Sequence, residues 1–187
     1  MPEPAFSQPE SRSFVKPILL ALVVAAVIFF VVQRLSPPST IQVAHLHTSV
    51  LPTHTVYKAQ TIVLGPDHAE DVLFIVPAIH VDNRMAAPVS LDEFTLTLTN
   101  PDGAELTEKA ATKQDIPALE TTFPALTPMI ATPLLRDTVI APGKSAEGSV
   151  LFSLQGIPQA MWDARKSAVL HVTVYHQDPI DITLPRP

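Results

Sequence analysis

The chain has 187 residues, 12 Lys and Arg against 18 Asp and Glu, a formal charge of −6 and no cysteine. An acidic chain without a basic, aromatic-interleaved patch repels phosphate backbones, which argues against nucleic acid as a partner. Without cysteine there is no disulfide, no thiolate nucleophile, no Cys-bearing zinc site and no lipid attached through sulfur.

Residues 1–13 (MPEPAFSQPESRS) are polar and proline-rich and read as a disordered cytoplasmic tail. Residues 14–33 read as a transmembrane helix. From Pro17 to Val32 the sequence is unbroken and apolar, PILLALVVAAVIFFVV, and Phe14 and Val15 bring it close to the roughly 20 residues that cross a bilayer. Ile18, Leu19, Leu20, Phe29 and Phe30 are its expected lipid contacts. A core helix would show a polar face. A cleaved signal peptide would have a shorter apolar region ending in small residues, whereas FFVVQRL is bulky and carries Arg34, so an uncleaved signal anchor is expected. Arg12 and Lys16 precede the helix and Arg34 follows it. This balance puts the N-terminus in the cytoplasm and the rest outside the cytoplasmic (inner) membrane, as a single-pass protein.

Residues 34–40 form a linker whose Pro37-Pro38 favours extended geometry. From Ser36 onward 9 basic and 16 acidic residues remain, a formal charge of −7. About 150 residues suffice for one disulfide-free domain, so residues 41–187 are expected to form a single domain.

In that domain, short Val-, Ile-, Leu-, Thr- and Phe-rich segments alternate with proline or glycine turns, the pattern of an all-β fold. Ile41–Thr48 and Val56–Leu64 are two expected strands, the second closed by Gly65-Pro66-Asp67. In Asp71–Asn83, Val72, Phe74, Val76 and Ala78 share a face, and Pro77 removes a ladder donor, which predicts an edge position or a bulge. Leu91–Asn100 alternates, with Phe94, Leu96 and Leu98 on one face and three threonines on the other. The turn Asn100-Pro101-Asp102-Gly103 follows. Glu105–Glu120 has helix-forming composition as far as Pro117, and Thr121–Arg136 is apolar but broken by prolines; together they read as one long crossover. Ser145–Leu154 and Ala168–Tyr175 are strong strands, and Ile180–Leu184 ends the sheet. Pro158–Lys166 reads as a short helix whose Trp162 plugs the end of a sandwich and whose Arg165-Lys166 is a polar helix end.

Asn83, Pro88, Asp102-Gly103, Pro142-Gly143 and the run Gly148-Ser149-Val150-Leu151-Phe152 occupy the places of a recurring turn and strand pattern. Over residues 81–106 and 138–156 the chain resembles the telokin-like, immunoglobulin-fold domains of bacterial envelope proteins. The resemblance implies an immunoglobulin-like β-sandwich behind an N-terminal tether, with one or two short helices in its crossovers, and carries no catalytic residues. The long proline-rich crossover is not part of that pattern.

Few constellations suggest chemistry. His45 and His47 sit two apart, so in a regular strand both imidazoles share a face, and with His54 they could hold zinc or copper. Strand-face histidines are more often simply solvated. Gly143-Lys144-Ser145 lacks the second glycine of a phosphate-binding loop, and no G-x-S-x-G elbow occurs. The expectation is therefore a non-catalytic envelope module without cofactor, touching lipid through its helix and an envelope protein through the apolar side chains Phe123, Leu126, Met129, Ile130 and Leu134. Packing of those side chains on their own sandwich is the competing expectation. A periplasmic metal or small-ligand binding module is the alternative function.

Overall fold

The computed structural model describes residues 15–35, 41–57, 68–130 and 132–186, with side chains over 18–30, 41–54, 71–130 and 132–186. The tail 1–13, most of the linker and the segment 58–67, including the turn at Gly65, lie outside the described residues. The chain forms two compact units, one ending at Ser39 and the other starting at Thr40. In the first, α1 (Val15–Leu35) is a helix of 21 residues whose large apolar side chains from Ile18 to Phe30 are all exposed. Among the described residues no helix is long and apolar enough to cross a membrane. The apolar sequence nevertheless continues beyond both ends of the Ile18–Phe30 window.

The second unit is an all-β sandwich of two antiparallel sheets. One holds β1 (Ile41–Tyr57), β2 (His68–Asn83), β6 (Ser145–Ser149) and β7 (Phe152–Gln155), with β1 on one side of β2 and β6 and β7 on the other. In the other, β4 (Glu105–Lys109), β3 (Val89–Thr99), β8 (Ser167–Val174) and β9 (Ile180–Thr183) lie in that order, and β5 (Val139–Ile140) extends the β4 side of β3. The inner faces meet in one core that includes Leu73, Ile75, Ile79 and Val81 of β2 and Phe94, Leu96 and Leu98 of β3. From β7 and β8 come Phe152, Leu154, Leu170 and Val172.

Pro77 lies in a central strand, not at an edge. β6 and β7 keep one register along β2, Ala78↔Ser149 and Ile75↔Phe152, and the ladder lapses only at Val150 and Leu151 between them. Val150 N–H donates to the Pro77 carbonyl at 2.9 Å, and proline has no N–H to return. Leu151 instead accepts from Ala111 N–H at 2.8 Å, while the preceding Ala110 N–H donates to Phe94 of the other sheet. These two alanines cross from sheet to sheet and form one edge of the sandwich.

Ile41–Tyr57 is a single strand, so Pro52 does not end it. The bonds from Val150 to Pro77 and from Gly156 to Asp71 turn the odd-numbered amides of β2 toward β6 and β7. Pro52 pairs with Leu73, so its nitrogen faces away from β2 and no ladder bond is lost. The stretch Glu105–Glu120, helix-forming in composition as far as Pro117 and read as the start of one long crossover, also divides. Gly103, at φ 94°, closes a hairpin with Asn100 N–H donating to Ala104 O at 2.8 Å, which lays β4 along β3 with Glu105 opposite Thr99. The helix forms later, as α2 (Asp115–Thr122), where Pro117 falls in the first turn and removes no helical bond. Short segments complete the crossover, the 3-10 turn Pro124–Leu126 among them.

Asn83 ends β2 with all four polar groups engaged. Its Nδ2 donates to Ala87 and Ile140 at 2.9 Å and to Ala141 at 3.2 Å, and Oδ1 accepts from Met85 N–H at 2.9 Å. Its own N–H and C=O bond Lys144 and Gly143, the latter at φ 65°. One buried amide thus fixes both the turn into β3 and the turn into β6.

Candidate functional site

The histidines do not come together. In β1 His45 pairs with Ile79 and His47 with Ala78, so Leu46 is an inserted bulge residue. Cross-strand partners point to the same side, and Ile79 and Ala78 point to opposite sides. His45 therefore faces inward and His47 outward, against the expectation of a shared face. His54 lies seven residues beyond His47, more than 20 Å along an extended strand, and its Nδ1–H donates to Asp71 at 2.6 Å. Among the described residues no group of three or more His, Cys, Asp or Glu is placed to hold a metal ion.

The crossover residues expected to meet a partner are largely buried. Leu126 is 0% exposed, and Ile130 and Leu134 are buried; Leu126 and Ile130 join Phe74, Val76, Ile116 and Leu151 in a second core on the outer face of β2. Phe123 and Met129 pack against it, Phe123 with its ring centroid 4.9 Å from that of Phe74. Leu134 joins the main core. The even-numbered apolar residues of β2 needed a cover, and the proline-broken crossover supplies it. β2 is consequently buried on both faces, which is why its sequence is a nearly continuous apolar run.

Across the solvent face of the second sheet runs a row of polar side chains, one from each of β4, β3, β8 and β9. His171 Nδ1–H donates to Asp181 at 2.6 Å, His171 Nε2 lies 3.0 Å from Thr97 Oγ1, and Thr97 Oγ1 lies 3.2 Å from Thr107 Oγ1. The order carboxylate, imidazole, hydroxyl matches a hydrolase triad. Acyl transfer also needs free N–H donors for the oxyanion. Here β3 and β8 are each flanked on both sides, and the amides around Thr97 and His171 belong to the ladders. The row is a cross-strand polar seam.

Two clefts remain. The larger, about 900 Å³, lies where the chain after β4 meets residues 134–138. Its charges are substantially paired with one another: Arg136 with Asp92 at 3.0 Å and with Tyr175 Oη at 3.1 Å, and Lys109 with Glu93. The smaller, about 430 Å³, lies between the β1 bulge, α3 (Gln159–Ala164) and the segment after β9. Trp162 of α3 is buried in the main core, as the plug the sequence suggested.

Arg165, expected at a polar helix end, is 1% exposed and is the largest fully buried side chain among the described residues. Its guanidinium lies 3.7 Å over the Trp162 ring. Nη1 donates to Trp162 O and Nη2 to Pro185 O, both at 2.7 Å, tying the end of α3 to the segment after β9. Its Nε is buried without a hydrogen-bond partner. Burial, then the positive charge of Arg186, lowers its pKa, against a weaker opposing pull from Asp163. The sequence signal for this arrangement is the spacing of three between Trp162 and Arg165 on a short helix, which puts both on one face.

No protein-family model matches the chain, and no curated protein matches it. Among solved structures it is similar to the one described as the X-ray structure of Northeast Structural Genomics Consortium target SoR45. That likeness covers 74% of this chain and 82% of the other, at 8% sequence identity and a TM-score of 0.30.

Proposed function

We propose that the chain is a single-pass protein of the cytoplasmic membrane, anchored by α1 with its N-terminus inside, that holds an immunoglobulin-like sandwich outside. The sandwich acts there by non-covalent binding, and an envelope protein is its expected neighbour. The observation that carries this reading is α1 itself. Its Ile, Leu, Val and Phe side chains from Ile18 to Phe30 are exposed all round, and each large apolar side chain left in water forgoes roughly 1.5–3 kcal/mol of burial. A bilayer removes that cost over the whole circumference, whereas packing on a domain would bury one stripe. The basic residues on the N-terminal side support the orientation. With the crossover's apolar residues buried, a protein partner would engage another part of the sandwich.

The cysteine-free sequence offers a direct test. Full-length chains carrying either Ser7→Cys or the exposed Glu105→Cys are expressed in intact cells and treated with a membrane-impermeant maleimide. The expected result is labelling at Glu105→Cys alone, in a protein that resists extraction from membranes at alkaline pH. Labelling at Ser7→Cys alone would reverse the orientation, and release at alkaline pH would remove the anchor.

The cleft beside Arg165 favours a small ligand over a metal as the second thing this module binds, since the histidines diverge while the cationic groups converge.

A further inference from the structure

We propose that the cleft between the β1 bulge and α3 binds a small organic anion, a carboxylate on an apolar body, with Arg165 and Arg186 facing the carboxylate and Leu46 and Val50 the body.

Arg165 is a buried charge without a counterion. Arg165 is 1% exposed, and no carboxylate among the described residues forms an ion pair with it. A guanidinium has five N–H donors. The two carbonyl bonds leave donors over, and the buried Nε has no partner. Burying a cation without a partner is costly, and an apolar side chain of similar volume would fill the same space without that cost. Stacking on Trp162 and the two carbonyl bonds still leave Nε unpartnered and the charge without a carboxylate.

The surroundings point the same way. Arg186 lines the same cleft and is exposed, with its Nη2 donating to Lys166 O at 3.1 Å, while Asp163 is the acid in the lining. His45, also in the lining, has its pKa lowered first by burial, so it adds little charge at neutral pH. In a chain of net charge −6, cations outnumber acids in this lining. The bulge turns Leu46, 46% exposed, into the same lining. The space, about 430 Å³, lies within the roughly 300–1,000 Å³ of small-molecule sites. Positive donors beside an aliphatic wall are complementary to a carboxylate with an apolar body.

This inference deepens the reading of the sandwich as a binding module and does not depend on the membrane tether. Trp162 is the chain's sole tryptophan, so its fluorescence reports on this cleft. Full-length protein in detergent is titrated with benzoate and hexanoate, and with benzamide and hexanamide as uncharged counterparts. We expect a saturable change with at least one acid and none with its amide. In Arg186→Gln, whose altered side chain is exposed, that affinity should weaken about tenfold. Arg165→Lys should also weaken it if the variant folds. No saturable response to either acid, equal response to the amides, or unchanged affinity in Arg186→Gln would each overturn the proposal. A protein that remains membrane-integral while ignoring both acids loses this site and keeps its tether. Binding in a protein released at alkaline pH would do the reverse.

Discussion

At His45 the fold sets a titration. The ring lies on the inner side of β1, with Nε2 2.8 Å from Thr48 Oγ1. Burial lowers its pKa from 6.5; a backbone hydrogen bond at His47 acts against this, and the charge of His47 acts with it. The unfolded chain therefore takes up a proton at higher pH than the folded one. The stability this contributes is complete above 6.5 and is lost as pH falls through the lower, folded value. Relative to His45→Gln, the natural protein should lose stability in chemical denaturation as pH is taken below 6.5, with no change in the difference above it. A difference independent of pH on both sides would mean that the inward placement by the Leu46 bulge is wrong. The sequence showed two histidines at strand spacing. It could not show that one inserted residue would separate them, because the bulge depends on how β1 is paired to β2.

Among the elements, the crossover from Ala110 to Thr138 behaves least as its composition suggests. Its prolines and apolar residues look like a surface, yet they form the lid of the second core. Removing the Leu126 side chain should leave a cavity and cost about 2–5 kcal/mol of stability. A partner-binding surface would instead leave the melting transition in place and change only what copurifies, so the melting transition of Leu126→Ala separates the two. The lid is held to β6 at Gly148, where an added Cβ would meet Thr132 O at 2.6 Å. Beside it, Ser149 N–H donates to Thr132 and Leu134 N–H to Ser149, both at 2.8 Å. The glycine that opens the run Gly148-Ser149-Val150-Leu151-Phe152 is thus needed because another backbone passes against it, a contact between segments that local pattern cannot reveal.

For the whole molecule, the division of the chain into two compact units makes a plain prediction. A chain beginning at Ser36 should be water-soluble and should unfold in a single cooperative transition, because both cores lie within residues 41–186. Aggregation of that fragment, or a broad and non-cooperative melt, would show that the sandwich depends on the N-terminal segment.

The strand pattern of β3, β8 and β9, the turn at Asp102-Gly103 and the short helix carrying Trp162 were legible because each follows from side-chain alternation or turn chemistry within a few residues. That residues 15–35 form a helix was legible for the same reason, from the uninterrupted apolar run within them. Tertiary structure decided the rest. Pairing with β2 made one strand of Ile41–Tyr57 through Pro52 and turned His45 away from His47. The uncovered face of β2 drew the crossover down and buried Leu126 and Ile130. The meeting of α3 with the segment after β9 put Arg165 in the interior without a counterion. Each of these depends on residues distant in sequence competing for the same buried space and the same backbone hydrogen bonds, which no local pattern records.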